Sequence, residues 1–166
     1  MAIDKIQSES INLADNFAFT GTVSGTPANT PSFSAYRSGS NQTLANNTNV
    51  VLQFNTELFD VGSCYDTSTY RFTPNVAGKY FINSIIRLNG GGNSVLYDLY
   101  IFKNTNVVRA SRDETTPADP FSMQVSAIVE ANGSSDYFEM QFYQASSSVQ
   151  LSSTTNSAFE AFRIIE

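Results

Sequence analysis

Asp113, Glu114 and Asp119 gather in one Thr/Pro-rich stretch, and Asp60 and Asp66 flank another that holds the single cysteine, Cys64. Carboxylates collected in loops are the donors that a hard cation such as calcium takes. Two carboxylates at the right separation also serve as acid and base on a glycosidic bond. Neither chemistry has its motif here. No Asp-x-Asp-x-Asp loop occurs, so calcium is a candidate without a motif, and solvated turns are the simpler expectation. The chain has no histidine, which removes the usual base of Ser and Cys nucleophiles and the commonest transition-metal ligand. The Gly-rich stretch "NGGGN" (residues 89–93) lacks the Lys-Ser/Thr that a phosphate-cradling loop needs. Cys64, in "GSCYD", reads as a small buried strand residue rather than a reactive thiol, and a lone cysteine rules out an intrachain disulfide framework. Tyr97 and Tyr143 are readable as sheet packing, as subunit contacts or as a carbohydrate platform, with packing the default. No catalytic residue, cofactor or metal ligand is assigned, and the expectation is a protein that is not an enzyme.

The elements that would position such groups are strands. The chain has 166 residues, enough for one domain with a real core, and 41% of them are hydrophobic. Charged residues make up 14%, well under the roughly 25% usual for soluble domains, so Ser, Thr, Asn and Gln must solvate the surface. Nine Lys+Arg against 15 Asp+Glu leave a net charge of −6, which repels nucleic acid in the absence of a basic cluster. The apolar runs are too short to span a membrane. The opening "MAIDKIQSES" carries no hydrophobic export signal, so synthesis in the cytoplasm without a signal peptide is expected. Asn-x-Ser/Thr matches at Asn41, Asn46 and Asn132 are then by-products of composition.

Residues 21–32, "GTVSGTPANTPS", have the composition of a connector, placing a boundary near residue 30. Two parts follow: an N-terminal segment and linker over 1–30, and a domain over 31–166. Within that domain the apolar period is two. Tyr80, Ile82, Ile86 and Leu88 share a face, interrupted by Ser84; so do Tyr97, Leu99 and Ile101, with Asp98 opposite; so do Met123, Val125, Ala127 and Val129; and Phe138, Met140 and Phe142 alternate with Tyr137, Glu139, Gln141 and Tyr143. Turn signals at 89–93, 103–106, 115–120 and 131–136 separate these runs. Strands punctuated this often imply an antiparallel sandwich or jelly roll.

One set of spacings is specific. Phe54 is followed by Asp60, Tyr65, Phe72, Gly78 and Tyr80, and "PNVAG" (residues 74–78) stands just before the most apolar run. This resembles the signature of the globular head of the first complement component, subcomponent q, and its tumour necrosis factor-like relatives. "PSFSAYR" (31–37) is similar to that family's opening strand and "NSAFEAFRII" (156–165) to its closing one; Ile82 and Ser84 stand where the family usually has aromatics. The resemblance implies an all-β antiparallel jelly roll of about ten strands, with close-set termini, assembled as a tight homotrimer. Pro74 would end a short strand and Gly78 would supply a sharp turn. The closing strand, with Phe159, Phe162 and Ile164, is the expected trimer interface.

The stretch "IQSESINLADNFAFTGTVSG" (residues 6–25) resembles short N-terminal stretches of bacteriophage tail-fibre and other virion proteins. It implies attachment to a particle through Ile6, Ile11, Leu13, Phe17 and Phe19, with other virion proteins as partners and the virion surface as location. The function expected on that basis is a trimeric tail-fibre or appendage adhesion module meeting a host glycan or protein. The alternatives are a capsid decoration protein, and a soluble cytokine-like or lectin-like binding protein.

Overall fold

The computed structural model describes residues 29–90, 96–114, 120–145 and 149–164. In chain order the strands are β1 (Ser32–Arg37), β2 (Gln42–Leu44), β3 (Val50–Val51), β4 (Thr56–Val61), β5 (Tyr65–Asp66), β6 (Arg71–Phe72), β7 (Ala77–Asn89), β8 (Tyr97–Lys103), β9 (Asn106–Asp113), β10 (Phe121–Asn132), β11 (Phe138–Gln144), β12 (Val149–Leu151) and β13 (Thr154–Arg163). The described residues thus hold thirteen strands rather than about ten. Five of them, β2, β3, β5, β6 and β12, are pieces of only two or three residues.

All pairing is antiparallel, in two sheets. The larger runs β2–β12–β7–β13–β1–β4, with β10 on the other edge of β7; the smaller runs β5–β6–β11–β8–β9, with β3 also on β11. The fold is an all-β antiparallel jelly roll, and its ends meet: the Arg163 N–H donates to the Pro31 carbonyl at 3.2 Å.

The alternating residues point into the space between the sheets. Tyr80, Ile82, Ile86 and Leu88 from β7, Tyr97, Leu99 and Ile101 from β8, and Phe138, Met140 and Phe142 from β11 are all fully buried. At one end the spaced aromatics converge. Phe33 stacks on Tyr65 with centroids 4.5 Å apart, meets Phe72 at 4.8 Å and takes Phe159 edge-on at 4.9 Å. Burying each such ring contributes about 2–3 kcal/mol. The buried phenols are satisfied: Tyr65 donates to the Phe54 carbonyl at 2.7 Å and Tyr80 to the Val76 carbonyl at 2.6 Å. Burial, then the nearby Glu57, pushes the Tyr65 phenol far up. Ser84, the polar interruption in β7, is itself buried, and its hydroxyl donates to the Ala158 carbonyl at 2.8 Å.

Two local expectations change. Gly78 lies inside β7, paired with Ala131, not in the turn before it. Its φ of +144° still favours glycine, and an added Cβ would also sit 3.1 Å from Arg163 Nε. Cys64 is buried but occupies the connection between β4 and β5 rather than a strand. Burial raises its thiol above the ordinary value.

Candidate functional site: the open face of the larger sheet

Because strands alternate, the residues between the core positions of β1, β4, β7, β10 and β13 form the outer face of the larger sheet. The registers place them in cross-strand rows. One row reads Ile128, Phe81, Phe162, Ser32, Val61 from β10 to β4. Ile128 is 62% exposed, Phe162 42% and Val61 48%, and the rings of Phe81 and Phe162 lie 5.5 Å apart. The next row is Ser126, Asn83, Glu160, Ser34, Phe59, and the third contains Gln124, Ile85, Ala158 and Tyr36. Phe59 and Ile85 are also exposed.

A polar line crosses the middle of this apolar face. Gln124 Nε2 donates to Asn83 Oδ1 at 2.9 Å, Asn83 Nδ2 reaches Glu160 Oε2 at 3.5 Å, and Ser34 Oγ donates to Glu160 Oε1 at 2.9 Å. The outer positions of β1 at Ser32 and Ser34 are small, so β1 is the floor of a trough between the taller walls of β13 and β4. The trough measures about 390 Å³ and is lined by Asn29, Ser32, Ser34, Phe59, Glu160 and Phe162 among others.

The outer face of the smaller sheet is different in kind. Asp98 and Glu139 point outward yet are nearly fully buried. Arg112 grips Asp98 with Nε on Oδ1 at 2.8 Å and Nη2 on Oδ2 at 3.0 Å, while the Tyr100 hydroxyl donates to Oδ2 at 2.8 Å. Burial alone would raise the Asp98 carboxyl; the Arg112 and Tyr100 hydrogen bonds outweigh it and hold the group below the ordinary carboxylate range. Arg71 Nε donates to Glu139 Oε2 at 2.8 Å, and its guanidinium lies 4.0 Å from the centre of the Tyr137 ring. These carboxylates hold the sheet together, and their oxygens are occupied by protein donors.

The carboxylates singled out in sequence do not converge. Asp60 caps its own turn, accepting from the Cys64 and Tyr65 amides at 3.2 and 3.0 Å. Asp66 accepts from the Ser68 hydroxyl and amide and from Thr69, which hold its carboxyl at about 2. Asp113 ends β9 and Glu114 follows it, exposed, while Asp119 lies outside the described residues. No group of three or more Cys, Asp or Glu among the described residues is arranged to hold a metal. Tyr97 is a core residue, ring to ring with Phe121 at 5.0 Å. Tyr143 is half-buried, and its hydroxyl donates to Asn47 Oδ1 at 3.3 Å.

The expected interface residues separate. Phe159 faces inward and is fully buried against Phe33, Phe54 and Tyr65, so it belongs to the core of its own subunit and is out of a neighbour's reach. Phe162 faces out, and Ile164 is half-buried just past the end of β13. Ile128, Phe81, Ile85 and Phe59 share the outer face with Phe162 and were not singled out in sequence; their signal is an apolar residue at the outward phase of an otherwise alternating strand. Ile6, Ile11, Leu13, Phe17 and Phe19 lie outside the described residues.

No protein-family model and no curated protein matches the sequence. Solved structures do match the fold. The globular domain of zebrafish complement 1qA protein superimposes with a TM-score of 0.63 at 16% identity, over 82% of this chain and 98% of that one. Murine APRIL gives 0.60 at 6% identity, over 80% and 98%. Eiger TNF from S. frugiperda gives 0.58 at 8% identity, over 81% and 92%. The chain has a complement-head/tumour necrosis factor-like jelly roll; identities this low speak to fold alone.

Proposed function

We propose that the chain is a non-enzymatic binding module that assembles as a homotrimer through the outer face of the larger sheet. The observation that carries this is the outward row of exposed Ile128, half-buried Phe81 and exposed Phe162, with exposed neighbours Phe59 and Ile85, apolar surface on a sheet whose other side already fills the core. The count of three follows the family resemblance. With the larger sheet given to assembly, the smaller sheet and the loops around it are left to meet a partner.

The fold likenesses favour a soluble cytokine-like or lectin-like ligand over a particle component. A second reading, a phage appendage adhesin tethered by residues 1–30, is supported by the N-terminal stretch and by the low proportion of charged residues, 14%. One experiment separates them: purified full-length chain is applied to glycan arrays and to cells, and phage particles from the producing culture are probed for it. Saturable binding by the free trimer with no particle association supports the ligand. Co-purification with particles supports the adhesin or a capsid decoration protein. A free chain that binds nothing and joins no particle overturns the binding-module reading.

A further inference from the structure

We infer that Glu160 receives a basic side chain from a neighbouring copy of this chain, and that the donor is Arg87. The inference rests on the assembly reading and adds to it the contact that sets how the copies dock.

Glu160 sits in the wall of the β1 trough, its carboxylate oriented by Ser34 and Asn83. Both donors are neutral, and no cation among the described residues pairs with it. Asn83 is held in turn by Gln124, so the row is built to aim a carboxylate rather than to solvate one. Phe59 and Phe162 stand on either side of the trough, one 50% and the other 42% exposed. A carboxylate flanked by two exposed aromatic rings is the chemistry that holds a guanidinium or an ammonium, by ion pairing and by cation–π attraction together. A volume of about 390 Å³ admits such a side chain.

The same sheet face supplies the complement. Arg87 is an outward, exposed residue of β7, four positions along from Asn83, the cross-strand partner of Glu160. At about 3.3 Å per residue it stands roughly 13 Å away, too far to pair within the subunit. No acidic partner is found for it among the described residues. Of the other basic groups of the sheet, Lys79 has a partner, Arg37 donates to the Ser40 and Gln53 carbonyls, and Arg163 is held at the strand end by Nη2 on the Ala77 carbonyl, its Nε buried and unpaired; Arg109, also exposed, stands on β9 of the smaller sheet, off this face. A rotationally closed ring joins unlike patches of one surface head to tail. Such a contact can bring together an anion and a cation that stand at different places around the rotation axis. In a chain of net charge −6, the pair also offsets repulsion between copies.

The test is sedimentation analysis of the full chain as wild type, Glu160→Gln, Arg87→Gln, and the exchange Glu160→Arg with Arg87→Glu, with thermal melts to show that each variant is folded. Each single variant is expected to weaken association by about tenfold or more. The exchange is expected to recover most of the loss. A trimer whose dissociation is unchanged in either single variant, or that the exchange fails to restore, overturns this pairing while leaving the assembly reading intact. A wild type that stays a single chain overturns both.

Discussion

Gly133, in the turn between β10 and β11, is expected to be the glycine least tolerant of a side chain. A Cβ there would lie 2.2 Å from the Ala77 nitrogen and 2.6 Å from the Val76 carbonyl carbon, at a φ of +71°. Those atoms are backbone and are fixed. Ala77 pairs with Asn132 at the end of the β7–β10 ladder, and the Val76 carbonyl accepts the Tyr80 hydroxyl at 2.6 Å. The cost of Gly133→Ala has two parts. The left-handed backbone costs about 1 kcal/mol for any Cβ. Opening the strand end to make room forfeits the Tyr80 bond and a ladder bond, at about 1 kcal/mol each. The total is about 3 kcal/mol. Gly39→Ala isolates the first part, since Gly39 has φ +83° and nothing within 4 Å of its Cβ position; it should cost about 1 kcal/mol. At roughly 2–4 °C per kcal/mol for a domain of this size, Gly39→Ala should melt about 2–4 °C and Gly133→Ala about 6–12 °C below wild type. Calorimetry at one shared protein concentration measures both. Equal losses would refute the claim that close backbone approach, and not dihedral strain alone, holds Gly133.

The pair Asp98–Arg112 makes stability depend on pH with a defined sign. In wild type the depressed Asp98 carboxyl contributes stability that is complete above the ordinary carboxylate range and is lost as pH falls through its lowered value. In Arg112→Gln, burial acts without the guanidinium and raises the carboxyl, so the variant's deficit should be smallest near pH 3 and grow towards pH 7. A deficit constant across that range in urea titrations would contradict it. Phe159→Ala should lower the stability of the fold by about 3–5 kcal/mol. Phe162→Ala should instead leave the subunit's own melting nearly unchanged and weaken association. Two similar melts would mean that β13 does not divide inward and outward as its register requires. Residues 31–166 alone should fold and assemble, since the core cluster from Phe33 to Ala161 falls within that span, and failure of that fragment to fold would make residues 1–30 part of the core.

Much of the fold was legible because burial enforces a period of two. Tyr80, Ile82, Ile86 and Leu88 announced the central strand, and the spaced Phe54, Tyr65, Phe72 and Tyr80 marked the aromatic end of the core. Ser84 looked like a departure from the pattern, but the Ala158 carbonyl opposite it satisfies a buried hydroxyl. Phe159 and Phe162 were harder. The run "SAFEAFRII" is apolar on both phases, so only its pairing with β7, Phe159 opposite Ser84 and Phe162 opposite Phe81, assigns the inward ring. Asp98 was readable as outward but not as buried. Its partner Arg112 comes from the next strand of a hairpin whose register shifts at a bulge between Ile101 and Phe102. The Glu160 trough was not legible at all, because its floor, walls and donors come from β1, β4, β7 and β13 and meet only when the sheet forms.

The claim on which the functional account rests is that the outer face of the larger sheet is covered by copies of the same chain. Sedimentation equilibrium of the full-length protein at micromolar concentration tests it directly. A single species of three times the 18.2 kDa chain mass is expected. A species of one chain mass, unchanged over a hundredfold range of concentration, would contradict it.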